Sequence, residues 1–307
     1  MKKRHVTQNL FITFLTILSL CLPSICQAKS IALSFDDGLD PRSQLMASSW
    51  NSSILDALSK AQIKSILFPA GNRIDTPAGL SLVKDWGKAG HVIANHTYSH
   101  LDYCSKQVTL EQFIADTKRN EVLLKDLPGW TKRLRFPYLR EGETVSKRDE
   151  LRSWLTNHGY GSGAVSIDAS DWYYNKRYLE WCKSHIDQDL STFRSVYLNH
   201  LWTRTTYYDA LSKEVLNRSV KHVLLLHTNA INAAFLPDII KMYKTNGWKI
   251  ISPDEAYEDP VYTMKPTTLP AGEGIIWSLA KQHGVSGLRY PAESDKYEKP
   301  LLDKLGL

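Results

Sequence analysis

An apolar run ends in two adjacent carboxylates at Ser34-Phe35-Asp36-Asp37-Gly38. Paired charges directly after a hydrophobic strand are costly unless something needs them. One can bind a metal while the other acts as a base, and Gly38 lets the chain turn sharply. A solvated turn with an N-capping aspartate is the plainer alternative. Downstream, Asn95-His96-Thr97-Tyr98-Ser99-His100 carries two histidines four apart. On a helical turn such a pair shares one face and can hold a common ion. With Asp37 they give one carboxylate and two imidazoles, a common set for catalytic zinc that leaves positions for water and substrate. Two solvated surface histidines are the alternative.

Three further stretches carry residues of the right types. In Arg135-Phe136-Pro137-Tyr138, Arg135 can pair with Asp36 and hold it ionised and oriented. Backbone N–H groups after Pro137, beginning with that of Tyr138, can face an oxyanion. Taken alone, a structural arginine at a strand end explains this stretch better. Asp168-Ala169-Ser170-Asp171-Trp172 sets a tryptophan beside a carboxylate, which suits a sugar site if the ring is exposed and a core position if it is not. Leu225-Leu226-His227 delivers one histidine at the end of an apolar run, as a catalytic acid or as a buried, hydrogen-bonded core residue.

Bringing these residues together requires elements that share an end. Short β-rich runs at 30–35, 64–69, 91–94, 132–137, 163–167, 222–227 and 247–251 predict seven strands. Helical patterns lie between them at 52–61, 110–127, 147–158 and 234–246, and Thr109 with Gln112 three residues later predicts a capping box. Such alternation calls for a parallel sheet with helices outside it. In a parallel β/α barrel the C-terminal strand ends share one face, where the active site sits. All five polar stretches fall at those ends. Residues 173–220 exceed one crossover and are rich in Tyr and Trp, which predicts a helical insertion. Its Tyr173, Tyr174, Trp181, Tyr197, Trp202, Tyr207 and Tyr208 suit either a stacking surface or helix packing. The tail from 259 opens with Pro260, Pro266 and Pro270 and then has a helical pattern near 272–283, too little to hold a core alone.

Of the 307 residues 43% are hydrophobic and 23% charged, ample for one large core. Residues 1–28 stand apart: Lys2, Lys3 and Arg4 precede an almost unbroken apolar run from Leu10 to Cys26, followed by Gln27-Ala28. That is the pattern of a secretory signal peptide cut after Ala28, and it predicts a secreted or periplasmic protein. An uncleaved anchor is the alternative. Cleavage removes three basic residues and no acidic one, taking the formal charge from +6 to +3. No basic block with interleaved aromatics is present, which argues against nucleic acid, and nothing implies a stable protein partner. Cys104 and Cys182 remain, compatible with one disulfide or with two free thiols.

SFDDG, HTYSH, RFPY, DASDW and LLH, in this order and at successive strand ends, resemble the five motifs of the polysaccharide deacetylases, the NodB-homology group or carbohydrate esterase family 4. The resemblance spans about residues 30–258 and implies an α/β fold, a distorted (β/α)7 barrel. The expected layout is a barrel over 29–258 containing the 173–220 insertion, with a short C-terminal extension, 259–307, packed on it.

By position, the resemblance implies Asp36 as the catalytic base. It implies Asp37, His96 and His100 as ligands of one divalent metal, usually zinc and sometimes cobalt or nickel. It implies that Arg135 tunes the base, that the Tyr138 backbone donates to the oxyanion, and that Asp171 partners His227 as the general acid. Trp172 then lines the groove, and Leu225 lines the acetyl pocket. The expected reaction removes N-acetyl groups from a polysaccharide: peptidoglycan, a chitin-like polymer or an exopolysaccharide. An O-acetyl esterase acting on xylan or another acetylated glycan uses the same residues. A non-catalytic carbohydrate-binding protein is a third reading, against which the intact Asp36, Asp37, His96, His100 and His227 argue. Three stretches depart from the family pattern: Leu39 to Ser49 before the first helix, Leu139-Arg140-Glu141-Gly142 after RFPY, and the long insertion. All flank the presumed groove, so they bear on which glycan is bound rather than on the chemistry.

Overall fold

The computed structural model describes residues 29–185, 189–290 and 294–307, so the expected signal peptide, 1–28, lies outside the described residues. The chain begins with β1 (Ser30–Asp37), α1 (Ala47–Ala61), β2 (Ile66–Pro69), α2 (Gly71–Ile74), α3 (Pro77–Lys88), β3 (Val92–Asn95), α4 (Leu110–Leu124) and β4 (Trp130–Leu134). It continues with β5 (Arg140–Gly142), α5 (Val145–Asn157), β6 (Gly161–Ser162), α6 (Asp171–Ser184), α7 (Ser191–Leu216), β7 (Lys221–His227), α8 (Ala230–Thr245), β8 (Lys249–Ile250) and α9 (Pro253–Tyr257). The C-terminal part adds β9 (Ala271–Gly272), α10 (Ile275–Gln282), α11 (Ser294–Tyr297) and α12 (Lys299–Leu305).

Seven strands form one parallel sheet in the order β6-β4-β3-β2-β1-β7, with β8 beside the start of β1. This curled sheet with helices around it is the parallel sheet expected from the alternation and the distorted barrel that the resemblance implied. Its closure differs from the expectation of a strand over 163–167. There the chain pairs with β4 at Gly161–Ser162, then crosses to β7, where Ile167 forms a single bridge to Leu224. A segment that changes partners half-way cannot keep one ladder. The crossing also needs a bare backbone, since a Cβ at Gly163 would lie 2.4 Å from the Leu134 carbonyl oxygen.

The central strand shows how the site is positioned. On β1, Phe35 meets Trp86 of α3 edge-on at 5.2 Å, placing one side of the strand against the helices. The alternate residues Ser34 and Asp36 both bond Arg135, which is fully buried. The period of two thus sends apolar side chains outward to the helix layer and polar ones toward the interior.

Local signals account for the helices. The capping box forms as expected, with Thr109 accepting from Gln112 N–H and the Gln112 side chain accepting from Thr109 N–H. The insertion folds as α6 and α7, and its aromatic residues serve packing. Tyr174, Tyr197 and Tyr208 are buried, and the Tyr197 hydroxyl donates to Asn232 of α8 at 2.7 Å. Cys104 and Cys182 are both free thiols. Beyond α9, β9 pairs antiparallel with β5 and so ties the C-terminal part to the segment that follows RFPY. No helix among the described residues is long and apolar enough to cross a membrane.

Candidate active site

β1, β3, β4 and β7 end on the same side of the barrel, around a cleft of about 420 Å³. Asp36, Asp37, His100, Tyr138, Trp172, Leu225 and His227 line it, and His96 lies beneath as a buried neighbour of Asp37. Every residue singled out in the sequence therefore reaches this one region, either on the cleft or, like Arg135 and Asp171, bonded to a residue that is.

Asp37 Oδ1 stands 3.8 Å from His96 Nε2 and 3.4 Å from His100 Nε2. One ligand atom from each of these three residues fits within 4.8 Å of the other two. The histidines do not lie on a helical turn as their spacing suggested. They bracket an irregular loop in which Thr97 and His100 have positive φ. Asn95 Oδ1 accepts from Thr97 N–H, and Asp116 of α4 accepts from the N–H groups of Tyr98 and Ser99 at 3.0 and 2.8 Å. These bonds satisfy a backbone that has left the sheet.

The protonation states suit a cation. Burial pushes His96 well below the ordinary histidine range and lowers His100 too, so both imidazoles are neutral. His96 Nδ1 lies 2.9 Å from the Arg135 carbonyl oxygen, an acceptor, so Nδ1 carries the proton and Nε2 presents its lone pair. Burial works to raise Asp37, but His227, Arg73 and the two histidines outweigh it and hold the carboxyl at about 2. Its Oδ1 is nonetheless buried with no hydrogen-bond donor. An ionised oxygen without a donor, facing two neutral imidazoles, fits a divalent cation and little else.

Asp36 is held differently. Arg135 Nη1 donates to its Oδ1 at 2.7 Å and to Ser34 Oγ at 3.0 Å, while Nε donates to the Gly163 carbonyl and Nη2 to the Tyr257 hydroxyl. The sequence suggested that this arginine simply keeps Asp36 ionised. Burial is the larger effect, and Arg135 and His227 offset it only in part, leaving Asp36 raised to about 6. His227 meets Asp171 through Nδ1, 2.6 Å from Oδ1, and through its backbone N–H at 2.8 Å from Oδ2. Asn229 and Asn232 also donate to Oδ2, fixing the buried carboxylate from three sides. Burial opposes a charged His227, but Asp171 together with Asp37 and Asp36 raises it to about 10. Tyr138 has φ 56°, and its ring packs edge-on against His100 at 4.6 Å. Trp172 is 41% exposed, so it is a rim residue and not a core tryptophan.

The family model described as polysaccharide deacetylase matches residues 26–158. Over that stretch, somewhat under half of the chain, the sequence is similar to the polysaccharide deacetylases. The chain is 31% identical over 143 residues to a peptidoglycan-N-acetylglucosamine deacetylase of Bacillus cereus, covering 46% of each protein. It spans about half the length of the curated relatives it matches. Among solved structures, a polysaccharide deacetylase of Bacillus cereus superposes with a TM-score of 0.52 at 20% identity, covering 73% of this chain and 91% of that one. A mutant of a CE4 family pseudoenzyme superposes with a TM-score of 0.54 at 17% identity, covering 75% of this chain and 68% of that one. Both likenesses speak for the fold. The family is metal-dependent in general, in keeping with the Asp37, His96 and His100 cluster. Asp171, Trp172, Leu225 and His227 lie beyond the matched stretch, and the barrel brings the last three to the cleft with Asp171 bonded behind His227.

Sequence reasoning passed over the lining residues Arg73, Glu273 and Tyr290, and gave Asp168 and Arg140, both within stretches it singled out, no role of their own. Arg73 Nη2 lies 3.2 Å from Asp37 Oδ2. Burial raises both Asp168 and Glu273. The available signal for the last acid was Gly272-Glu273-Gly274, a lone carboxylate between two glycines.

Proposed function

We propose that this chain is a metal-dependent hydrolase that removes N-acetyl groups from a polysaccharide, with peptidoglycan the first candidate. The observation that carries the reading is the donorless Asp37 Oδ1 facing two neutral imidazoles, with Asp36 and an Asp171-paired His227 beside it. Peptidoglycan is favoured by the activity named for the Bacillus cereus relative.

Asp37, His96 and His100 would hold the ion, zinc by preference and cobalt or nickel as substitutes. When bound, the ion supplies Lewis acidity toward the acetyl carbonyl and lowers the pKa of water. Asp36, with a proton affinity near neutrality, takes the proton from water as it attacks, and Arg135 keeps the carboxylate oriented. The Tyr138 N–H donates to the oxyanion of the tetrahedral intermediate. His227, cationic beside Asp171, gives a proton to the departing sugar nitrogen. Leu225 lines the pocket for the acetyl methyl, and Trp172 stacks on the pyranose face. The products are acetate and a glycan with a free amine.

Export belongs to the same reading. Residues 1–28 have the order of a cleaved signal peptide, and an extracytoplasmic glycan requires an exported enzyme. The test is acetate release across purified peptidoglycan, chitin oligomers, poly-N-acetylglucosamine and acetylated xylan, with and without chelator. Chelator-sensitive release from an N-acetylated glycan is the expected result. Release from acetylated xylan alone would establish the O-acetyl esterase instead, and no release from any polymer would leave a binding protein.

A further inference from the structure

One wall of the cleft takes no part in the proposed reaction. There Leu139 and Arg140 meet Glu273 and Tyr290 from the C-terminal part of the chain. Glu273 is 3% exposed and has φ 68°, between Gly272 at 110° and Gly274 at 82°. A side chain is unfavourable in that region of conformational space. It persists there where the surroundings enforce it, and such strain gathers at binding sites. Here the enforcement is visible. Glu273 N–H donates to the Leu139 carbonyl and Ile275 N–H to the Val165 carbonyl, each at 2.8 Å. A Cβ at Gly272 would lie 1.8 Å from the Leu139 oxygen, so only glycine allows β9 to approach this closely.

The strained turn delivers a buried carboxylate to the cleft with few partners. The Tyr290 hydroxyl donates to Glu273 Oε1. Among the described residues the only basic group within 4.0 Å is Arg140, with Nε at 3.9 Å, and Arg140 Nη1 is already bonded to Asp102. A carboxylate has about four acceptor positions, more than these neighbours fill. Trp172, a half-exposed ring, lines the same cleft. A stacking ring together with an unsaturated acceptor is the chemistry that recognises a pyranose, through its face and its hydroxyls.

We propose that Glu273, supplied by the C-terminal extension, is a specificity-determining residue that accepts a hydrogen bond from a ring hydroxyl of the bound sugar. The proposal rests on the deacetylase reading for the class of ligand. Its test is binding, so the two can fail separately. The zinc-loaded full chain carrying Asp36→Asn, to stop turnover, is titrated calorimetrically with methyl di-N-acetylchitobioside and its monodeoxy analogues. With Glu273 present, loss of one particular hydroxyl weakens binding about 10-fold or more, because a buried acceptor is left unmet. Glu273→Gln weakens the parent sugar by a similar factor and abolishes that discrimination, a non-additivity that a merely structural role does not produce. Tyr290→Phe, which leaves the carboxylate in place, keeps the discrimination. Equal weakening of the parent and every analogue by Glu273→Gln overturns the proposal, as does no weakening at all. If the unmutated chain releases no acetate while the coupling persists, the deacetylase reading fails and the role of Glu273 stands. Acetate release without coupling overturns the role of Glu273 and leaves the deacetylase reading in place.

Discussion

Asp36 and Asp37 are covalent neighbours with opposite proton affinities. Asp36 is buried and Asp37 only partly so at the cleft, and desolvation alone would raise both. Asp37 has φ 78°, and at this last residue of β1 the carboxylate faces Arg73 and two imidazoles. Asp36 faces inward to the Arg135 guanidinium, with His96 Nε2 3.7 Å from its other oxygen. One ends at about 2 and the other at about 6. A ligand should be ionised throughout the working range, whereas a base works best near the operating pH. The asparagine variants should therefore fail differently. Asp36→Asn is expected to keep stoichiometric metal and lose about 10²–10⁴-fold in turnover, the usual worth of a positioned base. Asp37→Asn should lose metal first. Metal content by mass spectrometry, measured beside acetate release, checks both. Equal loss of metal from the two variants would contradict the division of labour.

At the scale of elements, the loop that carries both histidines is shaped by a helix that touches no ligand. Asp116 of α4 accepts two backbone N–H bonds from Tyr98 and Ser99, so the loop geometry is set from outside. Asp116→Ala should weaken zinc binding about 10–100-fold, the usual effect of losing support behind a ligand, while leaving both imidazoles in the chain. Competition titration with a chromophoric chelator reads this directly, and unchanged affinity would refute the role. The same loop shows what the sequence could reveal. His96 and His100 were legible as a ligand pair because an apolar run followed by polar residues marks a strand end. Their conformation was not legible, because Asp116 acts on it from another element. The pairing of β5 with β9 was hidden for a similar reason. Two strands of two and three residues, separated by over a hundred positions, carry no periodicity, and so Glu273 escaped notice. The barrel itself was readable from alternation, except where 161–167 changes partners to close it.

The whole molecule sets the proposed acid from one part of the barrel beside the proposed base and the candidate metal cluster from another. His227 ends β7, its carboxylate partner begins α6, and Asp36 lies on the neighbouring strand in register with His227. That arrangement predicts which substrates depend on the histidine. An amide cannot expel its nitrogen as a free anion, so cleavage needs a proton delivered there. An aryl ester releases a phenolate that leaves with little help, and the roles proposed for Asp36, Tyr138 and the metal ligands serve both reactions alike. His227→Gln should therefore slow N-deacetylation by about 10²–10⁴-fold and aryl acetate hydrolysis far less. The pH profile follows from the same ion pair. Asp171 raises His227 above the ordinary value of 6.5 to about 10, so the acid form is present below that value and is lost as pH rises through it. Amide turnover should fall on that alkaline side, and Asp171→Asn should move the fall down toward 6.5 by removing the charge that favours the imidazolium. The measurement is the rate on both substrates across pH for the unmutated chain and the two variants. Equal losses on amide and ester, or an alkaline fall that Asp171→Asn leaves in place, would mean that His227 supports the fold or binds substrate without donating its proton.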